Sequence, residues 1–173
     1  MSPDAADAAA LPADRVDAII EQWGRVRPDL DTEAMAVFGR INRIANAMGA
    51  RMVEAYGRYG ISRGEFDVLG TLRRAGEPYT LSPRELTATL MLTTGGMTGR
   101  LDKLEKAGLV RRSPDPNDRR GLRVTLTLTG LRLIDEAVGD GLAVQAEAVA
   151  ALTGPDVTEL ERLLRLLLAA CED

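Results

Sequence analysis

The sequence predicts a mainly α-helical protein: a winged helix-turn-helix whose N- and C-terminal helices form a dimerisation lobe. Three observations carry this prediction. Segments with helical periodicity follow one another through short turns as far as Gly108. Two stretches that alternate apolar and polar residues come next, joined by a loop of Pro, Asp, Asn, Arg and Gly. The chain then returns to helix and ends on a leucine stripe.

The N-terminal part divides into a tail and two helices. Residues 1–12 are expected to be a flexible tail, and residues 13–59 are assigned to dimerisation and to a ligand pocket. The first helix carries Val16, Ile19, Ile20 and Trp23 at helical spacing. Residues 27–31 interrupt it, and a long helix over residues 32–59 follows.

Residues 60–127 are expected to form a DNA-binding domain. Its first two helices begin with capping boxes of the form S-x-x-E, in which the serine and the glutamate satisfy each other's free backbone N–H groups. The pairs are Ser62 with Glu65 and Ser82 with Glu85. Two helices joined by a tight turn after an earlier helix make a helix-turn-helix.

The third helix of this domain begins at Thr93 or Thr94, either of which is a suitable N-cap, and stops at Gly108. The two strands of the wing are predicted over residues 109–112 and 122–126. The nine residues between them, SPDPNDRRG, are expected to be its loop.

Residues 128–173 are predicted to be dimerisation helices, with a break at Gly154-Pro155. The last helix is too apolar on one side to be left in water. Pairing with a second copy of the chain is favoured, and packing within a monomer is the alternative. The apolar side consists of Leu160, Leu163, Leu164, Leu167, Leu168 and Cys171.

The charge of the chain is segregated. Residues 95–125 contain eight basic and four acidic side chains, so this segment is +4 and the rest is −8, which makes the total of −4. Phosphate is attracted by the local potential and not by the total, so the acidic total does not oppose binding to double-stranded DNA.

Several classes of protein are disfavoured. The chain has no histidine, no nucleophile–base pair and no metal-ligand spacing, so neither an enzyme nor a metal site nor a cofactor is expected. The single cysteine excludes an intrachain disulfide. No secretion signal and no apolar run of about 20 residues is found, so we expect a cytoplasmic protein without a membrane partner.

The helix that begins near Thr94 has two distinct sides on a helical wheel. Met97, Leu101 and Leu104 cluster on the side expected to face the core. Glycine inside a helix costs about 1 kcal/mol relative to alanine, so glycines on the outer side suggest close approach of another surface, such as a major groove. A weakly formed helix with solvent-facing glycines is the alternative. The outer side holds Gly95, Thr98, Gly99, Asp102, Lys103 and Lys106.

The wing loop presents Asp118, Arg119 and Arg120 together. Arginine suits a narrow minor groove, where negative potential is focused. Asp118 is expected to hold a neighbouring guanidinium in a fixed direction. The alternative is a solvated run of charges.

The segment LEKAGLVRRSPDPNDRRGLRVTLT (residues 104–127) resembles the multiple-antibiotic-resistance regulator (MarR) family of bacterial winged-helix transcription factors. The resemblance implies a dimer with interlocked terminal helices that represses nearby genes at a palindromic operator and releases DNA when a small ligand binds. It also implies that Arg120, oriented by Asp118, enters the minor groove. Thr94, Thr98 and Lys103 would then lie at the major groove.

A narrower resemblance is to the urate-responsive branch of that family. It implies an anionic, carboxylate-like or purine-like effector bound by Trp23, Asp67, Arg100 and Arg112. The wheel adds one argument, since Arg100 flanks the buried side of its helix, where an arginine needs an anionic partner. A core tryptophan, a surface aspartate and a phosphate-binding Arg112 are the alternatives.

Two other functions stay open at this stage. A redox-sensing regulator on the same fold would need a reactive cysteine, and the only thiol is Cys171, beside Glu172 and Asp173. A winged-helix module that binds protein instead of DNA is the second. Glycines on the outer helix face and arginines at the wing argue against it.

Overall fold

The computed structural model describes residues 12–91 and 93–172, without the side chains of Thr94 and Arg119. The predicted tail therefore lies almost wholly outside the described residues. The chain forms two compact units, whose boundary falls between Gly49 and Ala50. The elements are α1 (Arg15–Val26), α2 (Glu33–Gly57), α3 (Arg63–Arg74), β1 (Thr80–Leu81), α4 (Pro83–Thr89), α5 (Thr94–Lys106), β2 (Val110–Asp115), β3 (Asp118–Leu126), α6 (Leu128–Val149) and α7 (Gly154–Glu172).

The first unit holds α1 against the first part of α2. Asp14 and Asp17 form a capping box at the start of α1, a signal that the sequence interpretation missed. Both carboxylates also bind the Arg40 guanidinium, at 2.9 and 2.7 Å. Val16 is buried and packs on Gly39, where a methyl group would stand 2.9 Å from Cγ1 of Val16.

The second unit contains the helix-turn-helix and the wing. Both predicted capping boxes are present, at α3 and at α4. Thr93 is the N-cap of α5, and its hydroxyl accepts a hydrogen bond from the Gly96 N–H. Gly108 follows α5 in the left-handed region (φ 71°), a conformation that glycine adopts without steric cost.

The sheet is larger than predicted. Its three antiparallel strands lie in the order β1-β3-β2, and the short strand β1 was not predicted. The predicted nine-residue wing loop is wrong, because β2 and β3 extend through most of it to leave Pro116 and Asn117 between them. These polar residues form strands because a β-ladder is made by backbone groups. The strands bury little apolar surface, so no alternation of apolar residues indicated them in the sequence.

The core of the second unit joins α3, α4, α5, the sheet and α6. It includes Leu69, Leu86, Leu104 and Ile134, all at most 1% exposed. The start of α6 approaches the sheet so closely that a methyl group on Gly130 would lie 2.0 Å from the carbonyl oxygen of Leu109.

The C-terminal helices begin close to where the sequence predicted. Thr127 caps α6, and the interruption lies over residues 150–153, so that Gly154 and Pro155 begin α7 instead of separating two helices. No described residue of α7 is buried. Leu160, Leu163, Leu164 and Leu168 are all between 43% and 57% exposed. In the part of the chain that the structure describes, no helix is long and apolar enough to cross a membrane.

Candidate nucleic-acid interface

Helix α5 has the two sides that its sequence predicts. Met97, Leu101 and Leu104 are 1–2% exposed and pack in the core. Gly95, Thr98 and Gly99 lie on the opposite side and are exposed. Helix α4, anchored by the buried Leu86, packs beside α5, so the exposed side of α5 is held on a rigid support.

Nothing inside the protein explains the exposed glycines of α5. A methyl group at Gly95 or Gly99 would meet no atom within 4 Å. At Gly96 it would meet only the hydroxyl of Thr93, at 3.3 Å. Alanine would stabilise the helix at these positions. Internal packing therefore does not explain the glycines, which leave these positions of α5 without side chains.

Lys103 lies farther along the same face. Its side chain is 78% exposed, and its ammonium nitrogen lies 4.0 Å from Oε1 of Glu65, which is buried at the start of α3. At this distance and exposure the ion pair is weak. The ammonium group therefore stays accessible to another anion, such as a phosphate.

At the tip of the wing, Asp118 contacts Arg120 differently from the prediction. Its carboxylate accepts a hydrogen bond from the backbone N–H of Arg120, at 2.9 Å. None of the described ion pairs joins Asp118 to the guanidinium of Arg120, which is exposed. An aspartate readily binds the N–H two residues ahead, so Asp118 shapes the backbone of the wing and leaves the Arg120 side chain extended into solvent.

Arg123, three residues farther along β3, has a different environment, which the sequence interpretation missed. Its Nε lies 2.7 Å from Oδ2 of Asp115 in an ion pair, and its Nη1 lies 3.5 Å from Oε2 of Glu85. Both carboxylates belong to the protein, so this arginine is paired internally although its side chain is 33% exposed. The signal in the sequence is the spacing of Asp115 and Arg123 around a two-residue turn, which brings them to one side of a hairpin.

Arg112 is also occupied by carboxylates. Its Nε donates to Glu105 at 2.8 Å, its Nη2 donates to Asp102 at 2.7 Å, and its backbone N–H donates to Glu105 at 2.9 Å. These hydrogen bonds hold the pKa of Glu105 below its ordinary value and raise that of the Arg112 guanidinium. They join the last turns of α5 to the first strand of the wing.

Arg100 has no such partner among the described ion pairs. Its side chain is half-buried and lies along α3, so that a methyl group at Gly64 would stand 2.6 Å from Cζ of Arg100. The prediction that this arginine flanks the buried side of α5 is confirmed. Its guanidinium lies against Gly64, and none of the described ion pairs gives it a carboxylate.

The other two predicted ligand residues lie on different units. Asp67 is half-buried on α3. The pKa of Tyr56 is raised above its ordinary value, first by the burial of its own hydroxyl and second by the negative charge of Asp67. The Tyr56 ring is stacked on Phe66, with ring centroids 3.9 Å apart. Trp23 lies on α1 in the first unit and is 41% exposed, so it is not the core residue that one alternative supposed.

Within α5 and the wing, only some of the basic side chains offer exposed positive charge. Arg112 and Arg123 are neutralised by internal carboxylates. Arg111, Arg120 and Lys106 are exposed and take part in none of the described ion pairs. The described residues contain no group of three or more acidic or cysteine side chains that could hold a metal ion.

Comparison with known proteins gives consistent results. The MarR family model matches residues 59–121. The chain is 37% identical over 146 residues to the HTH-type transcriptional regulator PecS of Dickeya dadantii, a match that covers 84% of this chain and 88% of PecS. It is 34% identical over 134 residues to the multiple antibiotic resistance protein MarR of Escherichia coli, covering 75% of this chain and 90% of MarR.

Solved structures show the same fold. A mutant of E. coli MarR complexed with operator DNA superposes with a TM-score of 0.65 at 29% identity, over 84% of this chain and 97% of that one. AbsC, a MarR family regulator from Streptomyces coelicolor, superposes with a TM-score of 0.70, over 83% of this chain and 96% of AbsC. At 22% identity, this second likeness concerns the fold alone.

Proposed function

We propose that this chain, which belongs to the MarR family of DNA-binding transcriptional regulators, is a dimeric repressor that a small anionic effector releases from a palindromic operator. The observation that carries the proposal is the exposed glycine face of α5 beside the exposed arginine of the wing. In a dimer, α5 and the wing of each subunit would contact one half-site, and the two half-sites would lie about one helical turn, or ~10 bp, apart.

In this proposal α5 enters the major groove and the wing contacts the minor groove. Thr94, Gly95, Thr98, Gly99 and Lys103 form the major-groove surface. Glycines there allow the helix backbone to approach base edges and phosphates closely, and the hydroxyls and the ammonium group supply hydrogen bonds. Arg119 and Arg120 contact the minor groove, with the backbone of Arg120 shaped by Asp118.

The dimer is proposed from the exposed apolar residues of the terminal helices. The leucines of α7 present an apolar stripe to solvent, and Ile19 and Val26 of α1 are 44% and 69% exposed. Contiguous apolar surface of this kind is costly in water and marks an interaction surface. A second copy of the chain offers the same stripe, so the two subunits are self-complementary.

The effector is proposed to be a carboxylate or a urate-like anion that contacts Arg100. This arginine is half-buried and lacks an internal carboxylate among the described ion pairs, and it belongs to the recognition helix itself. Arg112 would take part through Nη1 or by exchanging Asp102 for the ligand, because its Nε and Nη2 already donate to Glu105 and Asp102. Asp67 would accept from the ligand's N–H groups, and stacking of Trp23 on the ligand stays a prediction from the resemblance.

DNA binding is tested with palindromic fragments of the DNA that lies upstream of the gene encoding this chain. These fragments are titrated with the wild type and with Arg120→Ala. Removal of the guanidinium should weaken binding at every salt concentration and lower the salt slope by about one. Arg132→Ala is the matched control, since Arg132 is exposed on α6 and donates only to a carbonyl of its own helix. Equal affinity of the wild type and Arg120→Ala would contradict the wing assignment.

The effector part is tested separately. Urate and a small polycarboxylate are titrated against the wild type and against Arg100→Ala, with Trp23 fluorescence and operator release as the two readouts. We expect quenching and release for the wild type only. If neither ligand changes the fluorescence or the binding to operator, the proposed effector is wrong, while the proposal of DNA binding still stands.

A further inference from the structure

We propose that Arg123, Asp115 and Glu85 position the wing for its contact with DNA, and that Arg123 itself does not bind phosphate. The inference rests on the proposed function, because it concerns how the wing is presented to the minor groove. It separates two arginines of strand β3, Arg120, which contacts DNA, and Arg123, which fixes the hairpin through its carboxylate partners.

The contact connects three parts of the second unit. Asp115 ends β2, Arg123 lies within β3, and Glu85 lies in the first turn of α4. Asp115 Oδ2 forms an ion pair with Nε of Arg123 at 2.7 Å, while its Oδ1 accepts a hydrogen bond from the backbone N–H of Asn117 at 2.9 Å. One carboxylate therefore stabilises both the turn of the wing and the side chain that crosses beneath it.

Burial shows that this contact is internal. The side chain of Asp115 is only 9% exposed and that of Arg123 is 33% exposed, whereas Glu85 at 53% forms the outer end. Gly121 makes room for the carboxylate, since a methyl group there would lie 3.0 Å from Cβ of Asp115 and equally close to Cβ of Asp118. A carboxylate with so little exposure is stabilised by a paired cation, and Arg123 supplies it.

Glu85 connects this pair to the helix-turn-helix. Its Oε2 accepts from the backbone N–H of Ser82 at 2.7 Å, as part of the capping box of α4. The same oxygen faces Arg123. The Ser82 N–H, and to a smaller extent Arg123, keep the pKa of Glu85 below its ordinary value, so this side chain stays charged at neutral pH.

The wing needs such an anchor because a two-stranded hairpin is marginally stable by itself. Beyond the register shift at Pro114 and Asp115, β2 and β3 are joined only through the pair Asp115 and Asp118. Arg120 lies in this distal part. Its position relative to α5 therefore depends on the side-chain contacts that hold the hairpin to α4.

The central test is Asp115→Asn, which keeps the shape of the side chain and removes its negative charge. Simple electrostatics predicts tighter binding to DNA, since the protein becomes less acidic. The proposal predicts the opposite sign: affinity for the operator should fall about tenfold, the effect of losing one wing contact. Asp135→Asn is the matched control, because Asp135 also pairs with an arginine at 2.7 Å but on α6, outside the interface.

A double-mutant cycle identifies the cause of the loss. If Asp115 acts through the wing, Arg120→Ala should cost little in the Asp115→Asn background, because its contact is already lost. Additive losses would show that Asp115 acts elsewhere and would overturn the proposal, as would tighter binding by Asp115→Asn. Arg123→Lys, which keeps a cation against Asp115, should restore part of the affinity that Arg123→Gln loses.

Thermal unfolding of each variant accompanies the titrations. If Asp115→Asn does not fold, Glu85→Gln replaces it, since the amide still caps α4 but no longer attracts Arg123. A roughly two- to fivefold loss, again non-additive with Arg120→Ala, is then expected, and unchanged affinity contradicts the proposal. Failure of the wild type to bind any operator fragment would instead refute the proposed function.

Discussion

At the scale of single residues, identical side chains in this protein have different environments. Arg120 and Arg123 are three positions apart, yet one is exposed and the other is paired with the largely covered carboxylate of Asp115. Glycines differ in the same way. Gly99 has open space where a methyl group would be, whereas Gly121 accommodates two aspartates. Residue type alone does not distinguish these roles, and each has its own consequence for mutation.

Gly99→Ala should have opposite effects on stability and on DNA binding. The added methyl group meets nothing in the free protein, so the helix should gain about 1 kcal/mol of stability, measured by urea unfolding. On the operator the same methyl group would hold α5 away from the groove, so affinity should fall. Gly139→Ala, at an open site on α6, should stabilise the protein similarly without that loss of affinity.

Arg112→Gln should change the dependence of stability on pH. Arg112 lowers the pKa of Glu105 from 4.5 in the folded state, so the charged pair stabilises the fold above this pH, and the contribution disappears as pH falls through the lowered pKa. Unfolding free energies measured from pH 7 to pH 3 should therefore decrease less steeply at the acid end for Arg112→Gln. Arg132→Gln serves as the control, and identical pH profiles for Arg112→Gln and the wild type would contradict the assignment.

At the scale of elements, close backbone contacts fix how helices meet the sheet. The N-terminus of α6 lies against the residue that precedes β2, and the backbone of Thr127 donates to the carbonyl of Leu109 at 3.1 Å. Gly130 allows this approach. Residues 126–130 therefore connect the wing to the C-terminal helices through a close backbone contact, which a helical wheel of α6 does not reveal.

Gly130→Ala should be strongly destabilising. Its methyl group would lie 2.0 Å from the Leu109 carbonyl oxygen, a backbone atom that cannot move without displacing β2. Overpacking of this kind costs about 1–3 kcal/mol or more, which should appear as a lower midpoint in thermal unfolding. Gly139→Ala in the same helix is the matched control, and a variant as stable as the wild type would refute the close contact.

At the scale of the whole molecule, the proposed dimer connects the terminal helices to DNA binding. A single subunit that binds DNA through α5 and the wing gives no role to the exposed leucines of α7. Two linked subunits bind one operator more tightly than two separate ones, because binding of the second half-site becomes intramolecular once the first is bound.

Leu164→Lys should therefore disrupt both assembly and binding to a palindromic operator. Leu164 lies near the middle of the α7 stripe and is 44% exposed, so a lysine there costs the isolated chain little but places a charge in the dimer interface. Sedimentation should show a monomer with weaker binding. Ala169→Lys is the control on the opposite side of α7, and a Leu164→Lys dimer with full affinity would refute the proposed interface.

The sequence by itself determined the order of the helices, the capping residues of α3, α4 and α5 and the two sides of α5, because these depend on local hydrogen bonding and on periodicity. Ser62, Ser82 and Thr93 begin their helices as predicted, and Met97, Leu101 and Leu104 are buried. It also indicated which charges and glycines to consider for DNA.

The tertiary structure decided the length of the wing strands, the third strand and the pairing of Arg112 and Arg123 with carboxylates. These features depend on contacts between segments distant along the chain, such as β1 with β3 and Arg123 with Glu85. A strand of polar residues has no periodic signal of its own, since its ladder is made of backbone groups common to all residues. An arginine likewise shows its partner only when the fold has brought a carboxylate to it.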